Sequence, residues 1–262
     1  MSAISLDWHS QTIEPTLDED RGGAVPIIGP AISVHDAERL GALEPQAFRT
    51  EIGSGRDGLP PHFHPVDQFQ YFVGGACRFG KSEYPRGVIH YTDRFAPYGP
   101  LQPVGPDGFS FVNLRRRIDF GLHEMPKERD TLKASLPTSG KDGRRRSLHV
   151  DLLRSPSDRG WTDLVIEDDG LRISIVDLDP GSSTSLPELS PIGAFAMVVS
   201  GSITTELSKH AEDSIAYCDS IHSGLSVRAG DEGARIALAQ FPDTRPVGGA
   251  DLVQPDQSQI GE

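Results

Sequence analysis

Residues 58–75 read GLPPHFHPVDQFQYFVGG, and this stretch decides the fold. Side chains two apart on a β-strand point to the same face, so His62 and His64 project together while Phe63 packs on the opposite side. The same alternation puts Gln68 and Gln70 on one face of the next strand, with Phe69 and Tyr71 on the other. Four inward polar groups in so short a span are unusual for a core, because each buried polar atom needs a partner. An ion or a polar ligand would supply those partners. A single inward histidine reads as a core residue bonded to backbone; the pair followed by Gln68 reads as a site.

Working outward, the apolar residues come in short runs with a β-branched and aromatic bias, and 28 Gly and 21 Pro punctuate them. AFRTEIG, DQFQYFV, CRFG, GVIHYT and FSFVNLR fall between residues 47 and 115, and LVIED, LRISIVDL, AFAMVVSG, ITTELS, GLSVRAG and RIALAQF between 164 and 241. Turn dipeptides such as Asp57-Gly58, Asp107-Gly108 and Asp169-Gly170 separate several of them. The pattern predicts an all-β protein of two units: an N-terminal extension over 1–48, a first β domain over 49–120, a polar linker over 121–160, a second β domain over 161–245 and a tail over 246–262. A short helix is expected over 35–43, where Ala37, Leu40 and Leu43 share a face.

The formal charge of −13 repels nucleic acid and anionic lipid, so a small-molecule partner is expected and neither nucleic acid nor membrane. Two basic triplets, Arg115-Arg116-Arg117 and Arg144-Arg145-Arg146, run against that trend and read as solvated charge. No apolar run reaches the length of a membrane span and the first residues are polar and acidic, which gives a cytoplasmic expectation. Cys77 and Cys218 lie outside any CxxC pattern and read as small buried residues. A homodimer is compatible with all of this.

The motif around His62 resembles the first motif of the cupin superfamily: Gly, five residues, HxH, three or four residues, Glu, six residues, Gly. His62, His64, position 68 and Gly75 fall in that register, but position 68 is Gln68 and Gly55 is one residue early. The resemblance implies a jelly-roll β-barrel, in the two-barrel or bicupin form, with a metal held by His62, His64 and Gln68. The family's second motif contains PxGxxH, and Pro85-Arg86-Gly87-Val88-Ile89-His90 matches it, making His90 the candidate fourth ligand. The alternative register, through Pro97-Tyr98-Gly99-Pro100, sets Tyr98 against the site instead. His90 and Tyr98 are thus the candidate catalytic groups, and Gln70 and Arg115 the candidate substrate-orienting ones, Arg115 through its planar fork for carboxylates. Asp67 and Asp93 are within reach as supporting groups or as solvated charge.

Replacing a carboxylate by Gln68 favours Fe, Ni, Co, Cu or Zn over hard ions. Residues 181–201 follow the first motif again with Pro187, Leu189 and Ala194 at the ligand positions, so the second barrel is expected to be a degenerate, structural copy with Phe195, Met197 and Val199 filling it. His210 and His222 are expected at the solvated surface. Two functions follow from the resemblance. One is a metal-dependent enzyme of the dioxygenase, isomerase, decarboxylase or lyase type acting on a small oxygenated molecule. The other is a non-catalytic cupin that binds a sugar or organic acid.

Overall fold

β-Branched and aromatic runs separated by glycine turns pair into antiparallel sheets, and these residues do so throughout. The computed structural model describes residues 45–119, 121–135, 145–158, 160–206 and 208–243, and the backbone of strands at 16–18 and 22–28. The strands are β1 (Thr16–Asp18), β2 (Gly22–Ile28), β3 (Gln46–Ile52), β4 (His62–Phe63), β5 (Gln68–Phe79), β6 (Ser82–Pro85), β7 (Val88–Thr92), β8 (Leu101–Pro103), β9 (Phe109–Arg115) and β10 (His123–Glu124). After helix α1 (Arg129–Ser135) come β11 (Ser147–Asp151), β12 (Thr162–Ile166), β13 (Arg172–Leu178), β14 (Ser183–Ser185), β15 (Ala194–Thr204), β16 (Lys209–Ala211), β17 (Ile215–Cys218) and β18 (Ser226–Gln240). The helix expected over 35–43 and the tail from 246 lie outside the described residues.

One sheet runs β1-β2-β3-β9-β5-β7-β11, with β6 and β8 on the far half of β5, and a second runs β12-β13-β18-β15-β16, with β14 on β18 and β17 on β15. The architecture is an all-β jelly roll. DQFQYFV and CRFG, separate runs in the sequence, are one strand, β5; the segment expected as a linker supplies β10, α1 and β11, and β11 pairs with β7. The polar composition of that segment is what makes it look like a connection. An edge strand with a solvated face needs few apolar residues.

Alternation splits each long strand between two environments. Gln68, Gln70 and Phe72 of β5, His90 of β7 and Phe111, Asn113 and Arg115 of β9 share the inner face, by their register. Phe69, Tyr71, Val73, Ile89, Tyr91, Val112 and Leu114 share the outer one. That outer face is covered: it packs against Ile173, Ile175, Phe195, Met197, Val199, Ala237, Ala239 and Phe241 of the second sheet in one apolar layer. Phe195, Met197 and Val199, expected inside the second unit, therefore face outward from it. Its interior holds Val176, Val198, Ile203 and Ile236, and, at the other end, Leu186, Leu189, Ala194 and Leu238. Alternation identifies which residues share a face; which face turns inward depends on the partner sheet.

Charged ties rim this layer. Arg146 forms a two-pronged pair with Asp169, at 2.9 and 2.7 Å, and also meets Asp93 at 3.0 Å. Arg86 meets Asp213 at 3.1 Å, and Asp213 also accepts from Tyr71 Oη at 3.1 Å. The second basic triplet is thus not simply solvated: its Arg146 joins the two units. Cys77 and Cys218 are buried free thiols.

The two sheets share a register. Gln68 faces Arg115 and Thr92, and Ala194 faces Gln240 and Cys218; Gln70 faces Asn113 and His90, and Ala196 faces Leu238 and Ala216. Gly75 and Gly201 both have positive φ (61° and 74°). A Cβ there would come within 2.0 Å of the Gly108 carbonyl oxygen or 2.2 Å of that of Gly233, so both positions require glycine. Where the first unit places two amides, an imidazole and a guanidinium, the second places three alanines and an amide.

Phe69, with no exposed surface, contacts the rings of Tyr91 and Phe241 at 4.9 and 4.8 Å. Phe69→Ala is expected to cost about 3–5 kcal/mol in urea unfolding and to split a single transition into two. A loss below about 1 kcal/mol with one transition would show that the layer does not couple the units.

Candidate active site in the first unit

β4 presents His62 and His64 to the interior while Phe63 turns away, packing with Phe95 and with Leu132 of α1. Opposite them, Tyr98 is held by a two-way backbone bridge: His62 N–H donates to Tyr98 O at 3.0 Å and Tyr98 N–H to His62 O at 2.9 Å. The starts of β5 and β7 and the end of β9 add Gln68, Gln70, His90 and Arg115, and the turn after β9 adds Asp119. All of these are buried, none more than 6% exposed.

Their hydrogen bonds have one consistent direction. Arg115 can only donate, and its Nε–H gives to Gln68 Oε1 at 3.1 Å, which leaves the Gln68 amide nitrogen to donate to Tyr98 Oη. Gln70 Nε2 is 3.4 Å from the same hydroxyl. Tyr98 therefore accepts from the amides and gives its one proton to His62 Nε2, 2.9 Å away. His62 suits this role, since its Nδ1–H donates to the Pro60 carbonyl at 2.6 Å and leaves Nε2 as the acceptor. His64 Nδ1–H donates to Asp119 Oδ2 at 2.7 Å, and Arg115 Nη1 donates to the Asp119 carbonyl at 2.7 Å. The guanidinium lies 3.3 and 3.5 Å from the two ring nitrogens of His64.

Burial and charge set the protonation states. Burial, with His64 next, depresses His62 to about 3. Burial and then Arg115 lower His64 as well, against the pull of Asp119. Burial raises Tyr98. Burial also works to raise Asp119, but Arg115 and His64 outweigh it and hold the carboxyl below its usual range. At neutral pH the site is two neutral imidazoles, a protonated phenol and a guanidinium–carboxylate pair.

His90 stands one position further along the barrel. Its Nδ1 meets Gln70 Oε1 at 3.1 Å and its Nε2 meets Ser147 Oγ at 2.9 Å, so it orients Gln70 and does not face the HxH pair. Of the two registers left open by the sequence, the structure brings Tyr98 to that pair. Asp93 accepts from Tyr91 Oη at 2.8 Å, and Asp67 from the backbone of Arg94 at 2.8 Å. His210, expected in solvent, is buried and meets Ser208 at 2.8 Å; His222 caps a short 3-10 turn with Asp219. Asp119 and Ser147 were missed: the only signal for Asp119 was its place four residues beyond a buried arginine, and Ser147 lies on a strand read as linker.

These donors do not fit the divalent ion that the resemblance implies. The Gln68 oxygen is turned to Arg115, both nitrogens of His90 are engaged elsewhere, and the Tyr98 hydroxyl stands against His62 Nε2. Among the described residues, no three His, Cys, Asp or Glu side chains gather as ion ligands.

No protein-family model matches the chain, and no curated protein matches it. Solved structures do. A candidate dioxygenase from Nostoc punctiforme superposes with a TM-score of 0.59 at 12% identity, over 94% of this chain and 85% of that one. Oxalate decarboxylase from Bacillus subtilis gives 0.56 at 13%, over 94% and 78%. The fold is cupin-type. A protein from Geobacillus kaustophilus gives 0.54 at 12%, over 90% and 96%, and at such identities the likeness is one of fold alone.

Because His62 and His90 are both depressed to about 3, the unfolded chain takes up their protons near pH 6.5 and the folded chain only near 3. Their contribution is complete above pH 6.5 and is lost as pH falls. By pH 5 each is expected to cost about 2 kcal/mol of stability, read as a fall in unfolding free energy between pH 7 and 5. His90→Gln should remove its share. A pH-independent stability over that range would contradict these buried neutral imidazoles.

Proposed function

We propose that the chain is a bicupin whose first barrel performs acid–base chemistry on a small oxygen-bearing molecule without a divalent ion, and whose second barrel is a structural copy that has lost the chemistry. One observation carries this reading: a neutral imidazole, His64, aligned by the buried carboxylate of Asp119, shares a closed site with the protonated phenol of Tyr98. A base oriented by a third group, beside a hydroxyl that still carries its proton, supplies the two groups that proton abstraction next to a carbonyl and protonation of the resulting oxygen use. The contact between Arg115 and His64 Nε2 is long at 3.5 Å, so that lone pair is the acceptor most easily given over to a substrate proton. Tyr98 would turn its proton from His62 to the substrate oxygen, with Gln68 and Gln70 holding the hydroxyl in place. The reaction class is isomerase or lyase.

The Bacillus subtilis oxalate decarboxylase has Mn(II) centres. At 12–15% identity that property does not transfer by likeness, and here a phenol hydroxyl is hydrogen-bonded to His62 of the HxH pair. A second reading, a binding module, is favoured by one feature: each of these central polar side chains already has a partner, so the resting site is stable without turnover.

The test incubates the full chain in D2O, with chelator present, against a panel of small 2-hydroxy acids, 2-oxo acids and ketoses. Deuterium uptake at the carbon beside the carbonyl is read by mass spectrometry, and thermal shift reports binding. Uptake is expected for at least one compound, falling roughly 10²–10⁴-fold in His64→Gln and Tyr98→Phe. Binding without uptake would replace the enzyme by the binding module. Uptake only on adding a divalent ion would overturn the metal-free reading.

A further inference from the structure

The ordered donors do not end at Tyr98 but continue outward to the surface. His62 commits its Nδ1–H to the Pro60 carbonyl, so the Tyr98 proton lies toward His62 Nε2. A Gln70 oxygen turned to Tyr98 would then face a hydroxyl oxygen with no proton between them. Gln70 therefore offers its amide nitrogen, 3.4 Å from Tyr98 Oη, and its Oε1 is left to accept from His90 Nδ1–H at 3.1 Å. His90 is neutral, its pKa pushed down to about 3 by burial and then by His149, so it has one N–H to give. With Nδ1 as the donor, Nε2 accepts from the Ser147 hydroxyl at 2.9 Å. His90 has no exposed surface, whereas Ser147 is an exposed residue at the start of the edge strand β11. The row of bonds thus starts at the surface, crosses the barrel wall and ends on the buried phenol.

Two amides therefore aim N–H groups at one hydroxyl oxygen, and each is held from behind by a donor. Arg115 Nε–H holds Gln68, and His90 Nδ1–H holds Gln70. When Tyr98 hands its proton to a substrate oxygen, the Tyr98 O–H bond breaks, the substrate O–H bond forms and the electron pair stays on Oη. Fixed N–H groups aimed at an oxygen that gains charge in this way lower the barrier, and a long contact such as the one from Gln70 tightens as the charge develops. Burial raises the pKa of Tyr98, and both amides work against that rise. We propose that His90 is a positioning residue for Tyr98, keeping Gln70 a donor to the phenol oxygen as that oxygen gives up its proton. The histidine of the PxGxxH match thereby has a use that is not ligation. Its effect on rate rests on the acid–base reading of the site; the order of the bonds does not.

NMR of the full chain, with no substrate present, tests this arm. Long-range proton–nitrogen correlation is expected to show His90 protonated at Nδ1 and bare at Nε2. With ring-labelled tyrosine the chain gives five Cζ resonances, one per Tyr, and Tyr98→Phe assigns the one that reports on the arm. His90→Leu is expected to move that resonance, and His90→Asn, whose amide N–H can take the place of Nδ1–H, to return it towards the parent position. In the deuterium-uptake assay His90→Leu should lower kcat by about tenfold or more with KM unchanged, and His90→Asn should recover most of the loss. Should His90→Leu fail to fold, His90→Met is read in its place. A proton on Nε2, equal shifts in the Leu and Asn variants, or an unchanged kcat in His90→Leu would each overturn the proposal while leaving the acid–base reading intact. The expected resonances with no uptake on any compound would remove the acid–base reading and leave His90 as the residue that orders the phenol.

Discussion

The buried pair of Arg115 and Asp119 sets the direction of the hydrogen bonds that run through Gln68, Tyr98, His62 and His64. A guanidinium has no acceptor, so Gln68 must give it the amide oxygen, and the Gln68 nitrogen is then committed to the Tyr98 hydroxyl. That hydroxyl, already accepting, has its proton left for His62, whose other nitrogen is occupied by the Pro60 carbonyl. Asp119 meanwhile balances the guanidinium charge, at 3.3 Å, and holds His64. Both partners are nearly free of solvent, and removing either would strand a charge at a cost of about 3–5 kcal/mol. A glutamate at position 68 could not donate to Tyr98. The amide found there is the residue type this chain of bonds requires.

The same strands that hold this network hold the molecule together. Because β5, β7 and β9 alternate, turning Gln68, Gln70, His90 and Arg115 inward forces Phe69, Tyr71, Tyr91 and Leu114 outward. Left uncovered, that face would be a large apolar patch. The second sheet covers it with Phe195, Met197, Val199 and Phe241. The second unit thus has a physical task that is independent of chemistry, which fits its alanines at the register positions of Gln68, Gln70 and His90.

The strands and the inward histidine pair were legible in the sequence because period-two alternation is local: FSFVNLR became β9 with no change of bounds, and Phe63 does lie opposite His62 and His64. What was not legible is long-range. Tyr98 reaches the HxH pair only through the bridge closing the loop between β4 and β8, and His90 is carried past it because β7 pairs with β5 at Gln70. Asp119 and Ser147 enter from a turn and from an edge strand with no apolar signature. Arg146 looked like surface charge because its partners, Asp93 and Asp169, are separated from it by 53 and 23 residues.

A phenol hydroxyl fixed by the Gln68 and Gln70 amides occupies His62 Nε2, the nitrogen that an ion would need. Elemental analysis of the full chain tests this most directly, with untagged protein purified from cells supplied with Mn, Fe, Co, Ni, Cu and Zn. Metal far below one atom per chain is predicted, with no change in thermal stability on chelation. Stoichiometric metal that is lost in His62→Ala would contradict it.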